Sequence, residues 1–230
     1  MTLKDRDALI ATLQRKRAGP AVRAQAAHLL AEMGDPTAIA PLLEQVEDTT
    51  DPFQIPVVAA VLESIPRFGD AAVPHLEAIL RDRADPRRHY VPRLLATIRG
   101  GAAAATLRAL LDDENLDVAI NAATALGLLR DPACGPALRA LLDDATRPAS
   151  LRGVAASALG MSGALGAYDA LAPLAGSGDP DLVAGAIDGL AELGDARAVP
   201  LLKALLAAGR LDERTARGVR LALISLQNRR

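Results

Sequence analysis

The sequence predicts an all-α fold, an α-solenoid of about six helix pairs with a capping helix at each end. Three observations predict it. A Gly-Asp turn recurs at Gly34-Asp35, Gly69-Asp70 and Gly194-Asp195, with Gly100, Arg130-Asp131 and Gly163 in the slots between. Its period of roughly 31 to 35 residues is that of a helical repeat array. Half of the residues are hydrophobic but only 2% are aromatic, so the apolar content is Ala, Leu, Val and Ile, which suits closely packed helices. Apolar stripes at helical spacing precede the turns, as in Val22, Ala26, Leu29, Leu30 and Met33 before Gly34.

The array reads as a single domain over 1–230, with a cap at 1–18, repeats at 20–50, 51–84, 85–115, 116–147, 148–179 and 180–209, and a cap at 210–230. The leading cap sets Leu3, Ile10 and Leu13 against Lys4, Asp7 and Arg15. In the first repeat Gly34 stops a helix where a left-handed residue is needed, and Asp35 caps the next, with Pro36 in its first position. Leu42, Leu43 and Val46 continue that second helix inward. The second repeat departs from the pattern through Pro56 and Pro66, and the third through Pro92 and Gly100-Gly101. An interior Pro removes a helical hydrogen bond and kinks or splits the helix.

Regularity then returns. Val118, Ala122, Ala123, Leu126 and Leu129 lead into Arg130-Asp131-Pro132, with Leu138, Leu141 and Leu142 after it. Leu151, Ala155, Ala156 and Leu159 lead to Gly163, followed by Leu165, Leu171 and Leu174. Leu182, Ala186, Ile187, Leu190 and Leu193 precede Gly194-Asp195, and Val199, Leu201, Leu202, Leu205 and Leu206 follow. The trailing cap has Val219, Leu223 and Leu226 inside, while Leu221 and Ile224 lie on the other side among Arg214, Arg217 and Arg220.

The stretches from Val22-Arg23 to Gly34-Asp35-Pro36 and from Leu182 to Gly194-Asp195 with Val199-Pro200-Leu201-Leu202 resemble the short HEAT-like repeat of phycobilisome bilin lyases. Ala122 to Leu129 and Arg152 to Gly160 match the same pattern. The resemblance covers nearly the whole chain and implies a right-handed α-solenoid. The absence of Trp and of an ankyrin Thr-Pro-Leu-His turn sets it apart from other helical repeats of similar period.

A net charge of -2 exerts no global pull on nucleic acid or anionic membrane. No run approaches the roughly 20 apolar residues of a membrane span, and the first residues lack an apolar signal core, so a cytoplasmic protein is expected. Cys134 is the one cysteine, so no intrachain disulfide forms. His28, His75 and His89 lie on separate elements without paired ligands, so no metal and no cofactor is expected. No nucleophile with a base emerges, and catalysis is not expected.

The densest charge cluster comprises Arg81, Arg83, Arg87, Arg88, Arg93 and Arg99 with His89 and Tyr90, a candidate anion or partner contact beside a solvated, salt-bridged alternative. The acidic series Glu47-Asp48, Asp82, Asp112 to Glu114 and Asp143-Asp144 recurs at the repeat period and reads as helix capping. The first-ranked function is a non-catalytic scaffold that takes a protein or peptide on a concave face lined by the second helices, with Gln45, His75, Arg108, Arg139 and Lys203 as contacts. The alternative, implied by the resemblance, is a bilin lyase or lyase subunit handling a chromophore. Nucleic-acid binding ranks last, because the four aromatic residues Phe53, Phe68, Tyr90 and Tyr168 are scattered.

Overall fold

The computed structural model describes residues 3–47, 51–98, 101–209 and 211–228, and no β-strand occurs among them. Asp48, Arg99 and Gly100 lie outside the described residues. The fold is an all-α solenoid of helix pairs that group into two compact units, Met1–Thr106 and Leu107–Arg230.

In the first unit α1 (Leu3–Gln14) precedes the pair α2 (Pro20–Met33) and α3 (Ile39–Leu43). The next pair is α4 (Ile55–Ser64) and α5 (Val73–Arg81), and then come α6 (Val91–Thr97) and α7 (Gly101–Ala109), within which the unit boundary falls. The second unit continues with α8 (Leu116–Leu128) and α9 (Gly135–Asp143), α10 (Ala149–Ser162) and α11 (Ala167–Leu171), and α12 (Pro180–Leu193) and α13 (Ala198–Ala207). It closes with α14 (Glu213–Asn228).

The turns form as their residues dictate. Gly34, Gly163 and Gly194 end α2, α10 and α12 in the left-handed conformation, which glycine enters without a Cβ penalty. Arg130 takes the equivalent place after α8 at φ 50. The aspartates are caps: Asp35, Asp85, Asp131 and Asp195 each accept the amide hydrogen bond of the residue two further on. Asp82, Asp113 and Asp144 do the same in the turns between pairs. The recurrent acidic series is therefore largely turn chemistry, with Asp112 and Asp143 in ion pairs to Arg147 and Arg139.

The Val-Arg position of the repeat has a structural role. The Arg23 Nε donates to the Leu13 carbonyl at 2.8 Å and the Arg152 Nε to the Leu142 carbonyl at 2.9 Å. Each guanidinium supplies donors to a helix C-terminus, where carbonyls lack partners and the macrodipole favours a cation. Arg23 is buried and also binds the side-chain oxygens of Gln54 at 2.8 Å and Gln45 at 2.9 Å.

Leu13, Leu30, Ile39, Leu42, Ile65, Leu76 and Leu95 are fully buried in the first unit, and Leu126, Leu138 and Leu142 in the second. Two stripe residues depart from expectation. Val22 is 55% exposed because it sits in the first turn of α2, and Leu165 is fully exposed in the turn before α11. The proline departures also acquire a form: Pro56 lies in the first turn of α4, Pro66 opens a 3-10 stretch (Ile65–Ala72) that is broken by a kink at Gly69 (φ 56), and Pro92 lies in the first turn of α6. The first helix of the third repeat is thereby split into a 3-10 turn (Pro86–Tyr90) and the short α6.

Candidate functional site

In the second unit the first helices of successive pairs form a continuous row, α8 on α10, α10 on α12 and α12 on α14. Small residues draw them together. A Cβ built on Gly185 would lie 2.0 Å from the Gly153 carbonyl oxygen, one on Gly160 2.0 Å from the Gly189 oxygen, and one on Gly127 2.8 Å from the Ala158 Cα. Backbone thus meets backbone along α10 and α12, a packing that only glycine permits. The second helices α9, α11 and α13 approach one another less closely than the first helices do. The first helices are thus the more tightly packed side of this unit.

A groove of about 370 Å³ opens on that side, walled by Ser150, Val154, Ser157 and Met161 of α10 and by Asp181, Ala184 and Asp188 of α12. These residues recur at helical spacing along one face of each helix. Gly153 and Gly185 lie at the groove's floor, and Thr124 and Ala158 complete its lining. Asp181 and Asp188 are the charged residues of the lining, and no Lys, Arg or His is among the lining residues. Desolvation by the walls pushes the Asp188 carboxyl above its usual range, and Glu192 one turn on adds like-charge repulsion.

Two further clefts exist. In the first unit, Ala59, Leu62, Glu63 and Pro66 face Arg93, Leu94 and Thr97 across about 460 Å³. The two proline-rich repeats singled out from sequence thus bound one cleft. In the second unit, Pro132, Gly135, Pro136 and Arg139 face Leu165, Gly166 and Ala167 across about 360 Å³.

The sequence-derived arginine cluster is divided among several duties. Arg87 forks onto Asp85 and reaches the Leu43 carbonyl at 3.2 Å; its hydrogen bonds hold the Asp85 carboxyl below the usual range. Arg88 is buried. Arg81 and Arg83 are exposed in the last turn of α5 and the loop after it. His89 and Tyr90 place their ring centroids 3.9 Å apart, and Arg93 alone of the cluster's described residues lines a cleft. His75 is half-buried on α5. Arg108 is half-buried on α7, and its hydrogen bond and charge act on the Cys134 thiol. Arg139 pairs with Asp143 at 2.6 Å.

Cys134 is buried, and burial pushes its thiol up, with Asp131 adding to the effect, so the helix start does not activate it. Among the described residues no three His, Cys, Asp or Glu side chains converge as a metal site. No described helix is long and apolar enough to cross a membrane. The groove residues Ser150, Ser157, Asp181 and Asp188 were not singled out from sequence. The signal for them is the set of glycines inside otherwise strong helices, Gly153 and Gly160 in α10 and Gly185 and Gly189 in α12, since an interior glycine weakens a helix unless close packing requires it.

Among solved structures the chain is similar to human deoxyhypusine hydroxylase in complex with glycerol, with 22% identity over 84% of this chain and 74% of that one and a TM-score of 0.48. It is similar to the CpcE and CpcF complex of phycocyanin lyase from Nostoc sp. PCC7120, with 20% identity over 96% of this chain and 94% of that one and a TM-score of 0.46. A designed armadillo repeat protein gives 16% identity over 95% of this chain and 98% of that one, with a TM-score of 0.34. At such identities none of these likenesses speaks to activity. No curated protein matches by sequence. The HEAT-repeat profile matches residues 6–91, 85–160 and 145–223, so nearly the whole chain is accounted for and the protein belongs to the family of HEAT repeats.

Proposed function

We propose that the protein is a non-catalytic scaffold that holds a protein partner on the first-helix face of its second unit. The observation that carries this reading is the groove between α10 and α12, whose floor is glycine backbone and whose walls are hydroxyls, small apolar groups and two carboxylates. A surface of that kind offers shape and hydrogen bonds. It offers no nucleophile paired with a base, the minimum for acyl or group transfer. Its lining contains no aromatic ring on which a tetrapyrrole or a base would stack, which favours the scaffold over chromophore handling or nucleic-acid binding. Arg93 beside Glu63 and Arg139 in the other two clefts are secondary contact candidates.

The test is site-specific photocrosslinking in the cells that make the protein. A photoreactive side chain placed at Ser157 or at Thr124 is expected to trap one and the same protein, and one placed at Asp143 to trap none. Absence of any adduct from both groove positions would remove the reading.

A further inference from the structure

We infer that the groove of the second unit receives an extended basic segment of the partner, with one Lys or Arg side chain against Asp181 and another, three residues on, against Asp188. This inference rests on the scaffold reading and adds the chemistry of what is held. Charge complementarity carries it. The charged groups lining the groove are two carboxylates, with no cation beside them, and neither carboxylate makes a hydrogen bond or ion pair to another described residue. By contrast, Glu192 at the end of the same helix is already paired with Arg130 at 2.9 Å.

The spacing fixes the register. Asp181 and Asp188 stand seven residues apart on α12, about 10 Å at a helical rise of about 1.5 Å per residue. Three residues of extended polyproline-II chain at about 3.1 Å each cover nearly the same distance and, at three residues per turn, bring side chains i and i+3 to the same face. A helix would have to bring its own basic residues seven apart and fit a body about 10 Å across into a groove of about 370 Å³, so an extended segment is the better occupant. Ser150 and Ser157 offer hydroxyls to the passing backbone. Val154, Ala158 and Ala184 face the two intervening side chains, and the close glycine floor demands that these be small.

The experiment measures fluorescence anisotropy of labelled Ala/Ser peptides with the full chain at low salt. The probes carry Lys-Ala-Ala-Lys, adjacent Lys-Lys, or Glu-Ala-Ala-Glu. Saturable binding is expected for the spaced-lysine peptide, tighter than for the adjacent pair and absent for the glutamate peptide. Asp181→Asn with Asp188→Asn is expected to weaken it by about tenfold or more, the range for partly desolvated charge pairs, while Asp143→Asn leaves it unchanged. Equal binding by the double variant, or equal affinity for adjacent and spaced lysines, overturns the inference. If the Ser157 crosslink to a partner survives while the peptides are indifferent to both carboxylates, the basic segment is refuted and the scaffold stands. If the crosslink is also absent, both fall.

Discussion

Arg130 Nη2 donates to Glu192 Oε2 at 2.9 Å, joining the turn after α8 to the last turn of α12 although α10 stands between them in the row. Side chains two helix pairs apart meet because the glycine contacts of α10 and α12 draw the first helices together. Arg130 itself stands in the left-handed conformation, φ 50, which costs a non-glycine residue about 1 to 2 kcal/mol.

Arg130→Gly and Arg130→Ala therefore separate the two effects. Both lose an exposed ion pair worth about 0 to 1 kcal/mol, but only glycine relieves the backbone strain. Urea unfolding is expected to place Arg130→Gly at or above the parent stability and Arg130→Ala below it by about 1 kcal/mol. Equal destabilisation by both would show that strain contributes nothing there.

Two glycines on neighbouring elements predict opposite outcomes for the same substitution. At Gly185 an added methyl would sit 2.0 Å from the Gly153 carbonyl oxygen, so the helices must separate, and a loss of about 3 kcal/mol is expected. Gly218 in α14 has nothing within 4 Å of such a methyl, and Gly218→Ala should gain about 0.5 to 1 kcal/mol of helix propensity. Denaturant midpoints of the two variants test the pair, and a stabilised Gly185→Ala protein would remove the backbone-contact account of the first-helix row.

The repeat period, the glycine stops and the aspartate caps were legible in sequence because each is a local rule acting within a few residues, as at Gly34-Asp35 and Gly194-Asp195. The packing of the two rows was not. Which row of helices packs tighter depends on contacts between residues about thirty apart, such as Gly153 with Gly185, and periodicity reports only which face of a helix is apolar. How the arginine cluster is partitioned was not legible either. Nearness in sequence placed Arg87, Arg88 and Arg93 together, but the split first helix of the third repeat sends one to a cap, one into the interior and one to a cleft.

Arg23 shows what a buried cation does without a carboxylate. Its donors reach the Leu13 carbonyl and the side-chain oxygens of Gln45 and Gln54, so α1, the turn after α3 and the start of α4 are joined through one guanidinium. Arg23→Met leaves those acceptors buried and unsatisfied, at a cost of about 2 to 4 kcal/mol. Lys, with one ammonium in place of a planar fork, should recover only part of it. Thermal melts of the two variants check the order, and a methionine variant as stable as the parent would refute the role.

Acid should loosen the first unit through Asp35. Hydrogen bonds from the Thr37 hydroxyl and amide, then from Arg6, hold this carboxyl down to about 2. Because its folded value lies below the unfolded one, its contribution is complete above the unfolded value near about 4 and is lost as pH falls through about 2. Asp35→Asn should therefore be less stable than the parent at neutral pH and converge on it in acid. A difference between the two that stays constant from pH 6 to pH 2 would contradict this.

Asp188 has the opposite sign. Its folded value is raised by partial desolvation in the groove and by Glu192, although the residue is exposed at the surface, so the ionised carboxylate is somewhat less favourable in the folded chain than in the unfolded one. That penalty is present above the folded value and disappears as pH falls below the unfolded one. Asp188→Asn removes it, so the variant should melt higher than the parent at neutral pH, with the gap closing as pH is lowered through the carboxylate range. The same substitution should weaken the spaced-lysine peptide, so one side chain would raise stability and lower binding when removed. Both changes together in Asp188→Asn would support placement of this carboxylate for a partner. Loss of stability in Asp188→Asn at pH 7 would instead assign Asp188 to the fold.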